Sequence, residues 1–121
     1  MKTMSQCLLA AAALTIGASA TGEVGQRREF VVTASRFRFE PASLEATEGD
    51  RIALTLRSAD GTHGIAIPEL KVKATIPKGG APVTLEFLAE KAGTFKFECS
   101  EYCGSGHRQM KGRLVVAARA R

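Results

Sequence analysis

Histidine and the large aromatic residues are scarce in this chain. Its 121 residues include two histidines, one tyrosine and no tryptophan, so an imidazole-based metal site has only His63 and His107 to draw on. No segment shows convincing helical periodicity, which argues against a helical domain. The chain also lacks the interleaved aromatic and basic residues of a nucleic-acid surface, and no acid–base pair is placed for catalysis. These absences favour a non-helical domain that is not an enzyme on its own.

The one long apolar run lies at the N-terminus. Residues 1–20 contain an early lysine, an apolar stretch from Cys7 to about Ala18 and no carboxylate, which is the pattern of a secretory signal peptide. The stretch is shorter than the roughly 20 residues that cross a bilayer, and it ends in a small-x-small site at Ala20. We therefore expect cleavage after Ala20 and a periplasmic or otherwise exported domain. An uncleaved leader that anchors the chain is the alternative.

The rest of the chain is long enough for one domain and too short for two. We expect a flexible leader over residues 21–28, a single domain over residues 29–117 and a basic tail over residues 118–121. Excluding Lys2 leaves 16 basic and 12 acidic residues, a net charge of +4. This balance permits attraction to acidic proteins or anionic lipid.

Aromatic and β-branched residues cluster in short alternating runs that are typical of strands. Ile52, Leu54 and Leu56 share one face of the run over residues 51–57, which predicts a half-buried antiparallel strand. Seven or eight such strands, separated by turn residues, predict an all-β sandwich or barrel. The predicted strands cover residues 29–33, 43–47, 51–57, 64–67, 72–76, 83–87, 94–99 and 113–117.

The strand predicted over residues 94–99 ends in a candidate site. Its alternation places Phe95, Phe97 and Cys99 on the inward face. The next residues, 100–111, contain two glycines and few apolar side chains, so they predict a loop between two core strands. Loops that a rigid sandwich holds in place are common locations for functional sites.

Four side chains of this loop can bind a metal. Cys99, Cys103, His107 and Met110 follow one another at intervals of four, four and three residues. Thiolate and thioether sulfur favour copper(I), and imidazole accepts both oxidation states of copper. Zinc has no need of the thioether. With His63, the loop therefore offers a candidate copper-binding set.

The loop pattern Cys-x-Glu-x-Cys-x-x-x-His-x-x-Met resembles that of the copper A domain of cytochrome c oxidase subunit II and of nitrous oxide reductase. The likeness extends over roughly residues 30–116 and implies a cupredoxin-like Greek-key β-sandwich of seven to eight strands. It implies a binuclear copper centre with two bridging thiolates, one histidine on each ion and two weaker ligands. The implied function is one-electron transfer. The implied ligands are His63, Cys99, the backbone carbonyl of Glu101, Cys103, His107 and Met110.

The resemblance also implies a redox donor and a redox acceptor as partners, such as cytochrome c or a terminal oxidase or reductase. The chain lacks the tryptophan through which the family receives electrons from cytochrome c, and its basic charge contrasts with the family's acidic docking face. These departures favour a free-standing periplasmic carrier over a standard oxidase subunit. A subunit of an oxidase-like or reductase complex stays open.

Three other interpretations of the loop stay open on the residues alone. A mononuclear blue-copper site needs one cysteine, two histidines and a methionine, which leaves Cys99 unused. Cys99 and Cys103 could instead form a disulfide in an oxidising compartment, although that leaves His107 and Met110 unexplained. A periplasmic copper(I) chaperone or buffer would use the same donors for one exchangeable ion.

Overall fold

The computed structural model describes residues 25–120. This part of the chain contains nine strands and two short 3₁₀ helices. No α-helix occurs among these residues, so the all-β class predicted from the sequence is confirmed. The 3₁₀ helices are Pro68–Leu70 and His107–Gln109. The strands are β1 (Arg27–Ser35), β2 (Arg38–Glu40), β3 (Ser43–Thr47), β4 (Arg51–Ser58), β5 (His63–Ile67), β6 (Val72–Ile76), β7 (Val83–Leu88), β8 (Gly93–Glu98) and β9 (Lys111–Ala117).

Eight of these strands correspond to predicted ones, and β2 is an addition. This strand has three residues, which is too short for an alternating pattern to be recognised. The antiparallel pairing predicted for residues 51–57 is only half right, because β4 pairs in parallel with β1 and antiparallel with β7. Parallel neighbours need a crossover connection, which β2 and β3 provide here, and the alternation within one strand does not encode that path.

The strands form two sheets that enclose one core. One sheet has the order β2-β1-β4-β7 and the other the order β3-β9-β8-β5-β6. Because alternate side chains of a strand point to the same face, Ile52, Leu54 and Leu56 of β4 are all buried. Phe39 of the first sheet meets Phe97 of the second edge to face, with ring centroids 5.3 Å apart. This aromatic contact joins the two sheets on the side where β8 ends.

The described domain begins slightly earlier than expected. β1 starts at Arg27, inside the leader expected over residues 21–28, and β9 ends at Ala117, where the expected domain ends. The expected signal peptide, residues 1–20, lies outside the described residues. Among residues 25–120, no helix is long and apolar enough to cross a membrane.

A buried carboxylate fastens the turn between β3 and β4. Asp50 is 1% exposed and accepts hydrogen bonds from the backbone N–H groups of Gln26 and Thr47 at 3.0 and 2.9 Å. It also forms an ion pair with Arg28 at 3.1 Å. Burial alone would raise the pKa of Asp50, but these three contacts together hold that pKa below its ordinary value. The charged carboxylate therefore stabilises the fold.

Asp50→Asn should lower the free energy of unfolding at pH 7 by about 1–3 kcal/mol, because two backbone N–H donors and Arg28 lose a buried, charged acceptor. Since the folded-state pKa is depressed, this stabilisation is complete above the ordinary carboxyl pKa of about 4 and disappears as the pH falls through the folded-state pKa. Urea denaturation of both proteins at pH 7 and pH 2 measures the difference.

The control for this experiment is Glu45→Gln on the neighbouring strand β3. Glu45 is exposed, so its replacement should change the free energy of unfolding by less than about 0.5 kcal/mol at either pH. A cost of Asp50→Asn that is the same at pH 7 and pH 2 would contradict the role given to the charge.

Candidate metal centre

The candidate site lies at one end of the five-stranded sheet, where β5 begins and β8 ends. These strands are antiparallel neighbours, so the start of one lies beside the end of the other. His63 is the first residue of β5, and Cys99 directly follows β8. The backbone N–H of Cys99 donates to the carbonyl of Met110 at 3.1 Å. Residues 99–110 are here called the ligand loop. The chain therefore leaves β8 and enters β9 at the same end of the sheet.

The inward orientation predicted for Cys99 is present in the structure. Phe95, Phe97 and Cys99 are all buried, whereas the intervening Lys96 and Glu98 are exposed. Cys99 thus continues the core face of β8 by one residue beyond the strand.

Two glycines bring the ligand loop into close contact with its neighbours. A Cβ atom on Gly64 would lie 2.1 Å from Ser100 Oγ and 3.2 Å from the backbone nitrogen of Glu101. A Cβ atom on Gly106 would lie 2.3 Å from the ring of Phe37. Larger residues at these positions would push the loop away from β5 on one side and from the β1–β2 turn on the other.

Cys99 forms one half of the site, here called the Cys99 half-site. Nδ1 of His63 lies 4.0 Å from Cys99 Sγ, and the backbone carbonyl oxygen of Glu101 lies 3.0 Å from it. Both His63 and Cys99 are buried, with 0% and 5% of their surfaces exposed. A thiol, an imidazole nitrogen and a carbonyl oxygen therefore meet at this half-site.

Cys103 forms the other half, the Cys103 half-site. Nδ1 of His107 lies 3.6 Å from Cys103 Sγ, and the thioether sulfur of Met110 lies 3.8 Å from it. The two thiols are unbonded, with 3.5 Å between Cys99 Sγ and Cys103 Sγ. Each thiol thus has one imidazole nitrogen and one weaker donor beside it.

The structure brings together every residue that the sequence singled out as a candidate ligand. The tightest group consists of His63, Cys99 and Cys103, whose donor atoms all lie within 4.8 Å of one another. His107 falls outside this group and extends it on the side of Cys103. The residues brought together are His63, Cys99, Glu101, Cys103, His107 and Met110.

Sequence reasoning missed the carboxylate that orients His63. Asp60 Oδ1 lies 2.5 Å from Nε2 of His63. A carboxylate accepts hydrogen bonds and does not donate them, so in the neutral imidazole Nε2 carries the hydrogen and Nδ1 presents its lone pair toward Cys99. The only sequence signal is the spacing Asp60-Gly-Thr-His63, which also reads as an ordinary turn.

Asp60 is charged and firmly held. It also accepts hydrogen bonds from the backbone N–H groups of Arg36 and Gly61 at 2.8 and 2.7 Å. Burial alone would raise the pKa of Asp60, but the bonds from Arg36, His63 and Gly61 keep that pKa below its ordinary value. The orientation of His63 is thereby fixed by a network that reaches back to the β1–β2 turn.

The donor set suits a soft metal ion that changes its oxidation state. Two thiols and a thioether favour copper(I), and two imidazole nitrogens bind both copper oxidation states. Met110 is fully buried and its sulfur faces Cys103, which a purely space-filling methionine does not require. The residues present therefore fit copper.

The Cys103 half-site is the one nearer to the surface. His107 is half-buried, and its ring centroid lies 5.7 Å from that of Tyr102, which is 79% exposed. A cleft of about 590 Å³ lies over the ligand loop, and its lining includes Cys99, Tyr102, His107 and Arg108. Another molecule can approach the site here.

Cys103 is protonated at neutral pH in the metal-free protein. Its burial, together with the neighbouring Cys99 thiol, raises the pKa of Cys103 to about 11. Because a metal binds the thiolate, loading must displace this proton, and the affinity must rise with pH.

The apparent affinity for copper(I) should therefore rise at least tenfold per pH unit between pH 6.5 and 8.5, since that range lies below the pKa of Cys103. Competition with a copper(I) chelator at several pH values measures the slope. Cys103→Ser should lower the slope by about one proton, and Ser105→Ala, an exposed change in the same loop, should leave it unaltered. An affinity that does not depend on pH would be incompatible with a protonated Cys103.

Comparison with known proteins agrees with the resemblance of the loop. A family model described as a cupredoxin-like domain matches residues 7–116. The chain is 28% identical over 85 residues to cytochrome c oxidase subunit 2 of Thermus thermophilus. This alignment covers 70% of this chain and 62% of that protein. It is 31% identical over 99 residues to the nitrous-oxide reductase of Cupriavidus necator, with 78% and 15% of the two chains covered. The chain thus matches less than two thirds of the first relative and a small part of the reductase.

A solved structure shares the fold. The periplasmic domain of subunit II of cytochrome oxidase from Bradyrhizobium japonicum superposes with a TM-score of 0.65 at 20% identity. The match covers 74% of this chain and 83% of that domain. At this identity the likeness shows the fold, and the predicted cupredoxin-like sandwich is confirmed.

Proposed function

This chain belongs to the family of cupredoxin-like domains, and on that basis we propose that it is an exported one-electron carrier with a binuclear copper centre. The observation that carries the proposal is the paired arrangement of donors around Cys99 and Cys103. Each thiol has its own imidazole nitrogen and its own weaker donor within about 4 Å. Two half-sites of similar composition suit two ions better than one.

A single copper ion would use only part of this arrangement. A blue-copper site needs one thiolate, two imidazoles and a long thioether contact, and Cys103, His107, Met110 and His63 would supply them. Cys99 would then be a spare thiol, although it is the one that lies between His63 and the carbonyl of Glu101. Both thiols lie between the two histidines. This position favours the use of the thiols as bridges.

The protein's own residues prepare the site for this use. When bound, copper supplies a centre that takes up and gives away single electrons. Asp60 holds the Nε2 hydrogen of His63 and so presents Nδ1 to the site. The buried side chain of Met110 excludes water from beneath the thiols. A rigid sandwich that holds both halves limits the rearrangement of donors when the charge changes.

A redox partner can reach the proposed centre on the side of His107. This histidine is half-buried and contacts the exposed ring of Tyr102. A cytochrome c, or a terminal oxidase or reductase, would exchange electrons there as donor or acceptor. The chain is proposed as a carrier or as the electron-transfer part of an oxidase-like complex, and not as an enzyme by itself.

Copper-loaded protein without residues 1–20 should contain two coppers per chain and give an electron paramagnetic resonance spectrum with a seven-line hyperfine pattern, because one unpaired electron is shared between two copper nuclei. Cys103→Ser should abolish both features, since only one thiolate remains to bridge. Ser105→Ala, an exposed change two residues after Cys103, is the control and should keep them.

Each alternative has its own outcome in the same measurement. One copper with a four-line pattern would replace the proposal by a mononuclear blue-copper site. A silent protein that releases copper(I) readily would favour a chaperone or buffer. Two coppers and an unaltered spectrum in Cys103→Ser would exclude the bridging role of that residue.

Met110→Leu should keep both coppers and change the reduction potential, because a weak ligand adjusts a site more than it holds the metal. Leucine fills a similar volume, so the copper-free protein should lose less than about 1.5 kcal/mol of stability. The copper content, the midpoint potential and a urea denaturation curve of the variant test these statements. Complete loss of copper would contradict the role of Met110 as a weak ligand.

A further inference from the structure

Arg36, in the turn between β1 and β2, touches both of the loops that carry the site. Its backbone N–H donates to Asp60 Oδ2 at 2.8 Å, and its side-chain Nε donates to the carbonyl of Cys103 at 3.3 Å. A Cβ atom on Gly61 would lie 3.2 Å from Nη2 of Arg36, so the guanidinium group also lies against the backbone next to Asp60. One residue therefore joins the His63 side and the Cys103 side from outside the ligand set.

The two links made by Arg36 depend on different parts of the residue. The backbone N–H that reaches Asp60 is present whatever the side chain is. The bond to the Cys103 carbonyl and the contact with Gly61 require the arginine side chain. A substitution at this position therefore separates the ligand loop from the turn without removing the hydrogen bond that Asp60 accepts.

The guanidinium group also places a permanent positive charge near the thiols. Its Nε lies 3.3 Å from the carbonyl oxygen of Cys103, one of the two thiol-bearing residues. A nearby positive charge stabilises a thiolate, and by the same attraction it stabilises the reduced form of a metal centre, which carries one more negative charge. Arg36 is exposed, so solvent weakens this effect but does not reverse it.

We propose that Arg36 is a positioning residue of the copper centre, which ties the ligand loop to the His63 side and whose charge favours the reduced state. The inference rests on the proposed copper function. It concerns a residue outside the implied ligand set, and it predicts separate consequences for the loop and for the redox equilibrium.

The first experiment measures the midpoint potential of the copper-loaded protein by optical redox titration. Arg36→Gln removes the charge and should weaken the preference for the reduced state two- to fivefold, which lowers the potential by about 20–40 mV for a one-electron couple. Arg36→Lys keeps the charge and should retain most of the potential. Arg51→Gln removes the same charge from an exposed residue at the far end of β4 and should leave the potential unchanged.

The second experiment uses copper-free protein and measures amide hydrogen exchange at residues 104–107 by nuclear magnetic resonance. Arg36→Gln should speed exchange there several-fold, because the ligand loop loses its tie to the β1–β2 turn. Arg51→Gln should not. If the natural protein takes up no copper, the proposed function fails, and this measurement still decides whether Arg36 holds the loop.

Three results would overturn the inference. A potential of Arg36→Gln equal to that of Arg51→Gln would remove the role of the charge. Unchanged exchange at residues 104–107 would remove the tie between the loop and the turn. Loss of copper from Arg36→Gln would show that copper loading requires Arg36. A residue that only positions and tunes the centre is not required for loading.

Discussion

The inward position of Cys99 is the constraint on which the rest of the site depends. Cys99 extends the core face of β8 by one residue, and its backbone N–H is bonded to the carbonyl of Met110. Both ends of the ligand loop are therefore fixed at one point at the end of the five-stranded sheet, although ten residues separate them in sequence. Cys103 and His107 have little room between these ends, and they are confined to the neighbourhood of the first thiol.

Local sequence patterns were sufficient for the parts of the structure that depend on local geometry. The alternation in β8 predicted the buried side of Cys99, and the residues of the ligand loop predicted a set of donors that the fold does bring together. The short strand β2 and the parallel pairing of β1 with β4 were not predictable in this way, because they depend on how distant segments meet.

The contacts that support the ligands were also beyond the reach of local patterns. Arg36 lies 67 residues before Cys103, and its bond to that carbonyl exists only in the folded chain. Asp60 is only three residues from His63, yet the spacing alone does not distinguish a carboxylate that orients an imidazole from one in a plain turn. Ligands can be read from residue type and spacing, whereas the groups that orient them need the tertiary structure.

The two halves of the site differ in exposure, and the difference suits the proposed electron exchange. His63 is fully buried and held by Asp60, so the Cys99 half-site is the rigid one. His107 is half-buried beside the exposed ring of Tyr102, so the Cys103 half-site is the accessible one. A centre exposed on both sides would admit water and allow its donors to move as its charge changes. A centre buried on both sides would keep a redox partner at a distance. In the proposed centre, thiols shared between a rigid half and an accessible half would satisfy both requirements in one domain.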